Sequence, residues 1–194
     1  MGDEENGDMN AKTQDHMAGL LAQLQRCDRA SARRLLEEAA QAHPGDARPL
    51  TLLAAEYVHA GEIDRAEATY IAALQRAPDL VIARFQLGLL QLTSARPAAA
   101  QATWAPLDAL ADTDPLRLFK IGLELVAQDR FEEARRLLMQ GIAQNSANPP
   151  LNRDMQMVLD RIASLRPGEP GEAGQPAAKP ADGHFLVSSY QKLH

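Results

Sequence analysis

The sequence predicts an all-α fold built from paired helices, and three observations carry that prediction. The apolar residues, 45% of the chain, are mostly Ala and Leu, and aromatic residues make up only 4%. That mixture favours helix over strand. A pattern also returns every 34 residues. Ala32, Ala66, Ala100 and Ala134 share one column, Leu20, Ala54, Gly88 and Gly122 a second, and Leu36, Tyr70, Trp104 and Leu138 a third. Small residues recur where two helices must cross closely, and bulky ones recur where the space between them must be filled. Finally, apolar stripes at helical spacing alternate with Gly and Pro punctuation.

The elements follow in order. Residues 1–12 are acidic and polar and predict a disordered tail, since they bury too little apolar area to offset ordering. The first repeat spans 13–46. Met17, Leu20, Leu21 and Leu24 mark its first helix, and Ala32, Leu35, Leu36, Ala39 and Ala40 its second. The second repeat, 47–80, turns at Gly61, which tolerates positive φ, and stops at Pro78. The third, 81–113, has Pro97 in the first turn of its second helix. Pro106 falls inside that same helix and predicts a kink or early end near Trp104 or Ala105. The fourth, 114–148, opens on the cap signal Asp114-Pro115 and has Asp129 where the second repeat has glycine. A capping helix over 149–165 follows, with Met155, Val158, Leu159 and Ile162 inward and Arg153, Asp154, Asp160 and Arg161 in water. Residues 166–183 read as a Pro/Gly linker. After it, Phe185, Leu186, Val187, Tyr190 and Leu193 form an apolar C-terminal docking segment.

The 34-residue period with these small and bulky columns resembles the tetratricopeptide repeat family. The resemblance implies an α-α superhelix, a solenoid of four repeats and a cap, with disordered tails. It implies further that the first helix of each repeat lines a concave groove where protein ligands bind. Matching columns places Met17, Leu21, Leu24, Phe85, Leu89, Leu92, Leu116, Phe119, Leu123 and Val126 on that groove. An open groove so lined would be an apolar patch, which usually marks an interaction site. The alternative is that these side chains pack between repeats and never meet water. The family's carboxylate clamp for acidic peptides is disfavoured, because Met17, Leu21, Leu52, Ile82 and Gln86 occupy its places.

The chemistry-bearing residues point away from catalysis. The five histidines lack a metal-ligand spacing, no Gly-rich phosphate loop is present, and no nucleophile, base and orienter form a recognisable set. Neither a cofactor nor a metal is expected. The acid pairs Glu37-Glu38 and Glu132-Glu133, and the pairs Arg33-Arg34 and Arg135-Arg136, read as solvated faces. The net charge of −6 argues against nucleic acid. No apolar run is long enough to insert in a membrane. The N-terminus lacks a secretory pattern, which leaves the cytoplasm as the expected location.

The expected function is therefore a non-catalytic interaction module: an adaptor, scaffold or assembly chaperone for another protein's hydrophobic or amphipathic peptide segment. An alternative is similar to bacterial secretion- or pilus-associated repeat chaperones. There, residues 184–194 would dock onto the chain's own groove, a second protomer or another protein. A third reading uses Cys27, between Arg26 and Arg29, as a redox-sensitive thiol.

Overall fold

The computed structural model describes residues 16–164, and these are helical with no strand among them. The expectations for the two tails, including the C-terminal segment 184–194, lie outside the described residues. The chain divides into two compact units, one up to Ala83 and one from Arg84.

Unit 1 contains α1 (16–24), α2 (Arg29–Ala42), α3 (Arg48–His59) and α4 (Ile63–Arg76). Asp28 caps α2, its carboxylate accepting from the Ser31 amide at 2.8 Å. Pro49 occupies the first turn of α3, where a missing N–H costs nothing. Ala54, Ala66 and Ala73 have no exposed surface, and Tyr70, the bulky residue of this repeat, is buried as well. The Arg76 guanidinium donates to the Ala40 carbonyl at 2.9 Å and ties α4 to α2.

Unit 2 contains most of α5 (Val81–Thr93), then α6 (Pro97–Trp104), α7 (Pro115–Val126), α8 (Phe131–Gln144) and α9 (Pro149–Ser164). The helix containing Pro106 ends where the sequence predicts. α6 stops at Trp104 and the chain continues as a 3-10 turn over Ala105–Ala109. Asp114 caps α7 by accepting from the Leu116 amide at 2.8 Å. Asn148 caps α9 through the Leu151 amide at 3.2 Å. Asn145, nearly buried, braces that cap with bonds to Asn148 and Asn152. Leu151, Met155, Leu159 and Ile162 form the buried face of α9.

One turn recurs. Gly61, Ala95 and Asp129, each 34 residues from the next, all have positive φ, at 73°, 58° and 58°. After each, an amide reaches back five residues: Glu62 to Tyr57, Arg96 to Gln91 and Arg130 to Leu125, all at 2.9 Å. This satisfies carbonyls left open at a helix end. The glycine recognised in one repeat therefore marks a conformation that two others adopt without glycine.

Candidate functional site

Most of the side chains assigned to the groove are interior. Phe85, Phe119 and Leu123 have no exposed surface, Val126 has 1%, and Leu89, Leu92 and Met17 are buried as well. Leu24 and Leu116 are half-buried, and Leu21 is 43% exposed. The open apolar wall that an exposed Phe column would present is therefore absent, and the reason is local. A Cβ on Gly141 would stand 2.5 Å from a Phe119 ring carbon, so Phe119 fills a notch that only glycine leaves. Phe85 stacks on Trp104 with ring centroids 5.8 Å apart and meets Phe119 at 6.3 Å. The Trp104 indole N–H donates to the Phe85 carbonyl at 2.9 Å, and a Cβ on Gly88 would collide with that indole at 2.2 Å. The phenylalanines thus belong to the packing between the two helices of a repeat and their neighbours.

Unit 1 is sealed by charge instead. The Tyr57 hydroxyl donates to Glu37 at 3.0 Å and accepts from Arg65 at 2.8 Å. The Arg65 guanidinium lies 4.2 Å from the Tyr57 ring centroid and the Arg33 guanidinium 5.5 Å. Glu62 joins both arginines, Arg33 at 2.7 Å and Arg65 at 2.5 Å. Bonds from Arg65 hold the Glu62 carboxyl below its ordinary range. Burial pushes the Tyr57 phenol up, with Glu37 adding to it. Arg34 behaves as expected on a wet face, but Arg33 does not: its side chain is 27% exposed and structurally engaged. The recurring charged residues gave no sequence signal of this, because the partner, Tyr57, lies on another helix.

Asp46, before α3, is also buried. Arg48 grips both its carboxylate oxygens at 2.8–3.1 Å. Burial pushes the Asp46 carboxyl up, but the Arg48 side-chain and backbone bonds together outweigh it and leave the group below its usual range. Nearby, the His16 and His43 rings stand 3.7 Å apart. Among the described residues, no three of His, Cys, Asp or Glu are grouped so as to hold a metal ion. Cys27 is half-buried in the turn before α2, its thiol directed to the Leu24 carbonyl at 3.5 Å.

Among the described residues, unit 2 holds one buried ammonium. Lys120, its side chain 8% exposed, pairs with Asp108 at 2.5 Å and Glu124 at 3.5 Å. Asp108 sits in the 3-10 turn that follows the Pro106 break. The break therefore delivers a counter-charge to Lys120, a consequence that sequence reading missed because the pair is formed across two elements. No helix among the described residues is long and apolar enough to cross a membrane.

Residues 23–86 match the family model described as the tetratricopeptide repeat. No curated protein matches by sequence. Two solved structures are similar over nearly the whole chain. One is MamA 41-end from Desulfovibrio magneticus RS-1, 16% identical, covering 94% of this chain and 92% of that one, with a TM-score of 0.54. The other is the MamA RS-1 ArsTM double mutant, with the same identity and coverage and a TM-score of 0.53. At that identity the likeness is one of fold. Residues 23–86 thus carry the tetratricopeptide repeat, and the 34-residue columns and the recurring turn continue its pattern beyond them.

Proposed function

We propose that this chain is a non-catalytic scaffold that binds another protein through a hydrophobic or amphipathic segment. The supporting observation is that two large apolar members of one repeat column, one in each unit, are exposed. The column that the family resemblance assigns to the groove runs Leu21, Ala55, Leu89, Leu123 and, one period further, Met157. Its first and last members are 43% and 37% exposed, although both are large and apolar. Leu24 and Leu116 are half-buried and can add contact area. Phe85, Leu89, Leu92, Phe119, Leu123 and Val126 are interior and stay outside the contact surface in this reading.

A peptide-display selection on the full chain tests the proposal. It should enrich segments with apolar residues at i, i+3 or i+4, i+7, the spacing by which an amphipathic helix presents one face. Leu21→Glu with Met157→Glu should abolish recovery of those peptides while helix content and melting stay unchanged. Equal recovery by the double variant would overturn the proposal. The C-terminal residues Phe185, Leu186, Val187, Tyr190 and Leu193 have the chemistry of such a ligand. If they compete for the same surface, removing 167–194 tightens peptide binding; unchanged binding sets that role aside.

A further inference from the structure

We propose that unit 2 carries a subsite for a basic side chain, lysine or arginine, presented by a protein partner, in the cleft lined by α6 and the end of α7. The cleft measures about 130 Å³ and is walled by Leu92, Pro97, Ala100 and Trp104, with Gln101 among its polar members. Glu124 is the sole charged residue lining it. An apolar wall beside a single carboxylate matches a side chain whose methylene stem seeks cover while its head seeks an anion.

The charge balance leaves room for that cation. Lys120 is the ammonium recorded beside Glu124, at 3.5 Å, but its shorter contact, 2.5 Å, goes to Asp108. One ammonium against two carboxylates leaves this cluster one negative charge in excess. The Glu124 side chain is only 20% exposed. Burial raises its carboxyl above the ordinary range against the opposing pull of Lys120. A carboxylate that has lost water and shares its ammonium with a second carboxylate is one that an arriving cation stabilises.

Unit 1 places a guanidinium in the column that holds Gln101 in unit 2. Two periods before Glu124 stands Glu56, and two periods before Gln101 stands Arg33. The Arg33 guanidinium is held at Glu62 and over the Tyr57 ring. In unit 2 the corresponding positions are Gln101, Arg130 and Leu125, so the chain brings neither the guanidinium nor its cradle. This inference uses the proposed function only for the occupant being a protein side chain. The subsite does not involve Leu21 or Met157.

Trp104 is the chain's one tryptophan and it lines the cleft, so its indole N–H resonance reports on occupancy. The full chain is titrated with N-acetyl-arginine N-methylamide and N-acetyl-lysine N-methylamide, and with the neutral isostere N-acetyl-norleucine N-methylamide. Both cations should shift the resonance saturably, and norleucine should bind about tenfold more weakly, the loss of one charge-assisted contact. Glu124→Gln should weaken the cations by about the same factor. Gln101→Arg should occupy the cleft with the chain's own guanidinium and abolish the shift. Circular dichroism and melting establish that each variant folds. Norleucine shifting the indole as strongly as the cations would reduce the cleft to an apolar crevice and overturn the proposal, as would cation binding unchanged in Glu124→Gln. The same titration on the Leu21→Glu, Met157→Glu variant should be unaltered, which separates failure of the subsite from failure of the peptide surface.

Discussion

Unit 1 and unit 2 are built from the same repeat and close their interiors by different means. Unit 1 uses Tyr57 as a hub, with Glu37, Glu62, Arg33 and Arg65 around it. Unit 2 uses an aromatic stack, Trp104, Phe85 and Phe119, set against glycines. The difference follows from the side chains that anchor each unit, Trp104 in the bulky column and Tyr57 outside it. A tryptophan beside Gly88 needs volume and one hydrogen-bond acceptor, whereas a tyrosine hydroxyl at the end of α3 needs partners that bring charge. A stack is rigid and excludes water. A charged hub is adjustable and sits closer to the surface, where each contact is worth less.

The contrast breaks most visibly in the stack. Phe119→Ala removes a fully buried ring from a notch that cannot collapse around it. It should cost about 3–5 kcal/mol, read by denaturant unfolding followed through Trp104 fluorescence. If it costs less than the hub substitution described next, the stack is not the main support of unit 2. In unit 1, Tyr57→Phe deletes the hydroxyl and both its bonds but keeps the ring under Arg65 and Arg33. It should cost about 1–2 kcal/mol. A neutral result would show that Glu37 and Arg65 do as well in water.

A smaller effect is expected at the shared turn, in the stabilising direction. Ala95 adopts φ of 58° where unit 1 has Gly61. Ala95→Gly should stabilise by about 1 kcal/mol by relieving the left-handed strain, visible as a raised melting temperature. A fall would mean that the added freedom of the unfolded chain outweighs the relief.

The smallest effect is in the pH dependence. Burial raises the Glu124 carboxyl above its ordinary value of 4.5 in the folded state. The folded state therefore holds that proton more tightly. The associated stability is present in full below about 4.5 and is lost as pH rises through the folded value. Asp46, lowered from 3.8, has the opposite sign: its contribution is present above that value and is lost as pH falls through the lower folded one. Glu124→Gln should thus match or exceed the parent in stability at neutral pH and lose that advantage in acid. Asp46→Asn should fall below the parent at neutral pH, and the two should converge in strong acid. Melting both variants between pH 3 and 7 checks the signs.

Much of the fold was legible. The period of 34, the small columns at Ala54, Gly88 and Gly122, the caps at Asp114 and Asn148, and the Pro106 break all act within one or two turns of helix, so residue type and spacing reveal them. The candidate site was less legible. Phe85 and Phe119 stand in a column that the family assigns to a groove, and nothing in their spacing distinguishes a groove wall from a packing ring. The glycine that decides the matter for Phe119, Gly141, is 22 residues away. Lys120 gives no signal in the sequence, because Asp108 lies on another element.

The sequence alone determined the helix pairs, their period, their ends and the residues able to cross closely, because those depend on backbone preference and volume at fixed spacing. Burial and charge pairing were decided on folding. Whether an apolar ring faces water or a glycine notch, and whether a carboxylate receives a whole counter-charge or shares one, depends on which neighbouring helix arrives and what it brings. Asp46 and Glu124 differ in that respect: Arg48 grips both oxygens of one, and the other shares Lys120 with Asp108.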